Sequence, residues 1–173
     1  MGPLRAERRP WARQFARPAH VRSLLLAGLA WTATIWACAS GGPAPDPEGL
    51  TYAPRLGVDF ARMSRTPSGL WIQELAEGTG REALEGDQVR VHYVGYLPDG
   101  TVVDASVGGE PVEFRLGADE VIRGWNLGIR GMKVGGRRRL VIPPDLAYGA
   151  RGRPPGVPGN AVLVFEIQLL AAS

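Results

Sequence analysis

The sequence predicts an α+β domain in which a curved antiparallel sheet of five to six strands wraps one short helix. Three observations carry that expectation. Short runs alternating apolar and polar residues follow one another from residue 68 onward, separated by Gly, Pro and Asp clusters. A single stretch, Asp119 to Ile129, has helical spacing, with Val121, Trp125 and Ile129 recurring at every fourth position. The segment from Ala161 to Leu170 is apolar on both faces, as a central strand of a two-sided sheet requires.

Taken in order, Leu70 to Leu75 is the first strand expected, ended by Gly78-Thr79-Gly80. Gln88 to Leu97 alternates, with Val89, Val91 and Tyr93 on one face. Pro98-Asp99-Gly100 then turns the chain, and Thr101 to Ala105 returns antiparallel. Val112 to Leu116 alternates again and leads to the helix. Asp119 is the expected N-cap, with Glu120 in the favourable first turn. Gly124 and Gly128 inside so short a helix each cost about 1 kcal/mol relative to alanine. Such a cost is tolerable where another part of the chain, or a ligand on the Trp125 indole, approaches closely. Arg137 to Ile142 is the next strand, its arginines expected to reach solvent, and a Pro/Gly-rich loop from Pro143 to Asn160 precedes the last one.

The 173 residues exceed one such domain, and the excess lies at the N-terminus. Six arginines (5, 8, 9, 13, 17 and 22) precede an uncharged apolar run from Ser23 to Ala37, and small residues follow, the layout of an export signal over 1–38. The run is shorter than the roughly 20 residues of a membrane-spanning helix. Cys38 is the sole cysteine, so no intramolecular disulfide can form. Ile35-Trp36-Ala37-Cys38 has the form of a lipoprotein processing site, with cleavage before Cys38 and a lipid anchor on it. Ala37-Cys38-Ala39 also fits ordinary signal cleavage after Ala39. Residues 39–66 open with a Pro/Gly spacer and continue into a mixed stretch, 50–66, that can dock on the domain or stay loose. The domain proper is expected over 67–173. Without the head, fourteen basic and sixteen acidic residues remain of the twenty and seventeen in the chain, which leaves no electrostatic footprint for nucleic acid.

Six groups of residues, in order and at compatible spacing, carry a resemblance: Val91-His92-Tyr93-Val94-Gly95 with Asp99-Gly100, Asp104, Val121-Ile122-Arg123-Gly124-Trp125, Gly131-Met132-Lys133-Val134-Gly135, Ala147-Tyr148-Gly149-Ala150, and Leu163-Val164-Phe165-Glu166. Together they resemble the FKBP-type peptidyl-prolyl cis-trans isomerases over about Gly69 to Leu170. With the preceding signal, cysteine and spacer, the chain is similar to exported bacterial members of that family. The resemblance implies a proline-binding pocket with the Trp125 indole as floor and Tyr93, Phe165, Val121 and Ile122 as walls. Asp104 and Tyr148 would stand at the polar rim, and Val157 in the loop above. The Ile122 N–H and Tyr148 hydroxyl would hold substrate carbonyls, and Asp104 would orient Tyr93. Rotation about an amide breaks no bond, so no cofactor, metal or nucleophile is expected.

The chain also departs from the pattern. Val103 and Val112 stand where the family commonly has pocket aromatics. The bulge Ala105 to Glu110 is one residue shorter than in the best-known members and lacks their arginine partner for the aspartate. Val103 and Val112 remove apolar area, worth about 25 cal/mol per Å², so weak binding of macrolide inhibitors is expected. The partners implied are proline-containing exported polypeptides. With neither a long N-terminal helix nor a chaperone insert between Ala147 and Asn160, a monomer is expected. A docking or chaperone module with little turnover is the alternative function.

Overall fold

The computed structural model describes residues 44–173. The expected signal segment and Cys38 lie outside the described residues. Seven strands form one antiparallel sheet: β1 (Ser64–Arg65), β2 (Trp71–Ala76), β3 (Gln88–Tyr96), β4 (Val102–Ala105), β5 (Val112–Arg115), β6 (Arg137–Ile142) and β7 (Leu163–Ala172). Their order is β1-β2-β6-β7-β3-β4, with β5 also pairing with β3. The α+β class is as expected. The strand beyond the expected six is β1, two exposed residues too few to show a period.

Alternation along the strands sends side chains to two separate apolar layers. Leu140 and Ile142 of β6, Phe165, Ile167 and Leu169 of β7, and Val89 and Val91 of β3 face the core that contains the helix. Val141, Val164, Val94 and Tyr96, one position out of phase, face the opposite side. That side is covered by the stretch the sequence left undecided. Leu56 and Met63 are buried there against Trp71, with Tyr52, Val58 and Phe60 packed around them. Residues 44–63 therefore form a strap across the sheet through three short 3-10 turns, Pro47–Gly49, Pro54–Leu56 and Phe60–Arg62. Ala53 N–H donates to Pro98 O (2.8 Å) and Arg55 Nη2 to Gly100 O (2.5 Å), which fastens the strap to the β3–β4 turn.

The expectation that Arg137 to Arg139 reach solvent holds only for Arg137. The Arg138 and Arg139 side chains are 13% and 11% exposed. Arg139 donates to Gly57 O of the strap (2.7 Å), to Gln73 Oε1 (3.0 Å) and to Glu166 Oε1 (2.6 Å). Arg138 pairs with Glu74 and donates to Gly128 O (2.7 Å) and Arg130 O (3.2 Å) at the C-terminal end of the helix. These guanidiniums, with several donors each and no acceptor, satisfy carbonyls of the helix end and the strap while pairing with carboxylates on neighbouring strands.

The helix, α1, spans Arg123–Ile129 and starts later than expected. Asp119 does not cap it; Ile122 stands at the N-cap with no side-chain hydrogen bond. The Asn126 side chain accepts from Gly117 N–H (2.9 Å) and donates to Ala118 O (2.9 Å), holding 117–118 as a turn folded back on the helix. Gly117, at φ +92°, makes that turn accessible. The spacing of Val121, Trp125 and Ile129 thus reflects a turn followed by a helix on one core, a pattern a longer helix would also show.

Gly124 and Gly128 are explained by the sheet beneath them. A methyl at Gly124 would lie 2.5 Å from Ile142 Cγ2, and one at Gly128 would overlap Leu140, both partners being fully buried. Gly124→Ala is therefore expected to destabilise the protein, despite alanine's better helix propensity, by about 1–3 kcal/mol of overpacking, measured by urea unfolding. A neutral or stabilising change would refute the close-packing explanation.

The strap and the sheet face it covers also carry a pH signature. Burial first, and then the Asp46 carboxylate, raise the Tyr52 hydroxyl above its ordinary value, while burial first and then Glu166 raise Tyr96. Both side chains hold their protons more tightly folded than unfolded. Their contribution to stability is intact below the unfolded value of about 10 and is lost as pH rises past it. Melting temperature should be level at mildly alkaline pH and fall above about pH 10. Phenolate absorbance in Tyr52→Phe/Tyr96→Phe and parent proteins would check the source: unchanged alkaline loss in the double variant would assign it elsewhere.

Candidate active site

An open cleft of about 780 Å³ lies between the turn before α1, strands β4 and β5, and the loop after Tyr148. All ten residues expected at the pocket line it. Tyr93 comes from β3, Val103 and Asp104 from β4, Val112 from β5, and Phe165 from β7. Val121 and Ile122 enter from the turn, Trp125 from α1, and Tyr148 and Val157 from the loop region.

The floor is aromatic. The Trp125 ring meets Tyr93 at 4.7 Å (74° between planes) and Phe165 at 5.3 Å (89°), edge-to-face geometries each worth about 0.5–1.5 kcal/mol beyond area burial. Trp125 is 5% exposed, and its buried Nε1 has no hydrogen-bond partner among the described residues. Phe165 reaches this position because Gly95 stands opposite it on β3; a methyl there would lie 2.5 Å from the Phe165 ring. Phe114, absent from the expected site, supports the indole from within the core at 5.8 Å. Its parity with Val112 along β5 was the signal available for it.

Polar groups gather at the rim. Asp104 Oδ1 accepts from Ala105 N–H (2.9 Å), leaving Oδ2 outward. Burial first, and then Asp104, push the Tyr93 hydroxyl above its ordinary range. Ile122 has extended backbone (φ −58°, ψ 146°), and its N–H makes no backbone hydrogen bond among the described residues. Its C=O is engaged by Trp125 N–H at 2.9 Å. An unpaired N–H beside an apolar floor can receive a carbonyl from a ligand. Asp119, expected as the N-cap, and Glu120, expected in the first helical turn, line the cleft instead.

His92, on the opposite face of β3 from Tyr93, has Nδ1 3.1 Å from Ser106 Oγ, and the same hydroxyl accepts from Tyr93 N–H (3.0 Å). Ser106 thereby pins the bulge after Asp104 to the strand bearing Tyr93. The arginine missing from that bulge is supplied from elsewhere. Arg153 Nη1 lies 3.4 Å from Asp104 Oδ2 and 3.4 Å from the Tyr148 hydroxyl, a contact across 49 positions of sequence that no local pattern announces. The loop carrying it is closed by Arg153 N–H to Val157 O (2.8 Å) and Val157 N–H to Arg153 O (3.0 Å), with Val157 buried.

Such a cleft can take a small apolar ring on the indole and hold neighbouring carbonyls at its rim. Among the described residues, no cluster of His, Cys, Asp and Glu has the arrangement of a metal site.

Comparison with known proteins gives the same direction. Residues 79–170 match the family model for FKBP-type peptidyl-prolyl cis-trans isomerase. An FK506-binding protein 4 from Rhizopus delemar is 48% identical over 110 residues, 64% of this chain and 29% of the relative. The chain spans less than a third of the length of the FK506-binding protein 4 relatives it matches. An FK506-binding protein of Neisseria meningitidis serogroup B is 46% identical over 103 residues, 59% of this chain and 94% of the relative. The crystal structure of a peptidyl-prolyl cis-trans isomerase from Pseudomonas syringae pv. tomato matches with a TM-score of 0.59 at 42% identity, covering 65% of this chain and 81% of that one. The family model, which matches more than half of the chain, and these relatives agree: the chain belongs to the FKBP-type peptidyl-prolyl cis-trans isomerase family.

Proposed function

We propose that this protein is a monomeric prolyl isomerase that accelerates rotation about X–Pro bonds in exported polypeptides. The observation that carries the reading is the buried Trp125 floor, walled by Tyr93 and Phe165, beneath a rim that holds Asp104, Tyr148 and the unpaired Ile122 N–H. Amide resonance sets a barrier of about 18–20 kcal/mol, and uncatalysed exchange takes roughly 10–100 s. A pocket that excludes water disfavours the dipolar planar amide relative to the twisted one. The pyrrolidine ring rests on the indole, and Val121 and Val157 close on its edges. The Ile122 N–H and the Tyr148 hydroxyl hold the carbonyls that flank the rotating bond, and Asp104 orients Tyr93. Only proton-neutral contacts change during the turn, so the chemistry calls for no covalent intermediate.

Val103 and Val112 leave the cleft less enclosed than aromatics would, which supports weak macrolide binding. The N-terminal layout supports export with a lipid on Cys38, the domain standing on the periplasmic or cell-surface side of a membrane.

The protein should accelerate cis-to-trans isomerisation of a short X–Pro peptide. Tyr148→Phe and Asp104→Leu should each lower kcat/KM by about tenfold, the equivalent of one strong hydrogen bond. Peptide-dependent Trp125 fluorescence without any acceleration would instead identify a docking module, and an inhibitor affinity matching that of aromatic-lined relatives would count against the roles of Val103 and Val112.

For the N-terminus, expression with a radiolabelled fatty acid should label the protein, and Cys38→Ala should abolish the label and move the protein to the soluble exported fraction. An unlabelled parent protein of the same mass as the variant would establish ordinary signal cleavage.

A further inference from the structure

Arg153 lines the cleft although the expected pocket did not include it, and it is the lining side chain that contacts both rim residues, Asp104 and Tyr148. Its backbone N–H and C=O are both taken by Val157, so the residue is held at the base of a closed turn rather than at a loose tip. Its side chain is 60% exposed, yet a single nitrogen, Nη1, stands 3.4 Å from both Asp104 Oδ2 and the Tyr148 hydroxyl. The guanidinium carbon also sits 5.9 Å from the centre of the Tyr148 ring, within reach of its π face.

A guanidinium has donors and no acceptor. In contact with it, the Tyr148 oxygen can only accept. The hydroxyl proton is then left for an acceptor elsewhere, and the cleft is where a substrate offers one. The same nitrogen restrains Asp104, whose other oxygen is held by Ala105 N–H. We infer that Arg153 is a positioning residue: it bridges Asp104 and Tyr148 and fixes the Tyr148 hydroxyl as a donor into the cleft. This inference rests on the isomerase reading given above. It adds to that reading a contact from the 151–160 loop, so the loop's side chain sets the polarity of the rim and does more than cover the pocket.

The test is a double-mutant cycle in the complete protein, with kcat and KM measured separately on an X–Pro peptide. Arg153→Met should lower kcat/KM about two- to fivefold, the range expected of an exposed charged contact, chiefly through kcat. Arg153→Lys should recover part of the loss, because an ammonium can also donate to the Tyr148 oxygen. In the Tyr148→Phe background, Arg153→Met should have a much smaller effect. The parent activity should decline as salt is raised, and the Arg153→Met activity should not. Melting temperature should be the same in all Arg153 variants, and Arg153→Gln repeats the measurement should Met disturb the loop. Equal kcat/KM in parent and Arg153 variants, or losses that multiply independently of Tyr148, would overturn the positioning role while leaving the isomerase reading in place. A parent protein that neither binds nor turns over the peptide would remove both.

Discussion

The molecule depends on how closely α1 lies against β6. Gly124 and Gly128 present no side chain to the sheet, so Ile142 and Leu140 pack directly on the helix backbone. That contact sets the height of Trp125 between the two layers. Were the helix held farther off, the indole could not meet Tyr93 and Phe165 edge-on while still forming the bottom of an open cleft. Two glycines weaken the helix as a helix. Arg138, donating to carbonyls at its C-terminal end, and Asn126, tying down the turn before it, secure what propensity does not.

A second constraint acts from the opposite side of the sheet. A sheet with apolar side chains on both faces cannot leave one of them in water. The strap of residues 44–63 covers the outer face, and Arg139 joins it to β2 and β7 in one set of hydrogen bonds. The strap also grips the turn between β3 and β4. Those strands carry Tyr93, Val103 and Asp104, so a segment remote from the cleft braces one of its walls.

The cleft itself divides into two kinds of surface with different origins. Its apolar floor belongs to the core and is built from side chains that would be buried in any case. Its polar rim comes from a bulged strand end, a turn and a loop, where exposed groups meet over long separations in sequence. Floor and rim therefore follow different rules of packing.

That division also marks what was legible before the structure. Period-two alternation exposed the strands, and the composition of β7 signalled burial on both faces, because these are consequences of local geometry. Residue types at the cleft were likewise readable, since all ten of the residues expected there line it. Three features were decided only by the tertiary structure. The helix begins at Arg123 because Asn126 folds the preceding turn back on it, although the spacing of Val121 would suit a longer helix. Arg138 and Arg139 of β6 are drawn inward by carbonyls and carboxylates on other segments, where the sequence shows only three adjacent charges. The pairing of Arg153 with Asp104 needs a loop and a strand end brought together across 49 positions. Sequence determined what depends on neighbours along the chain; the fold decided what depends on neighbours in space.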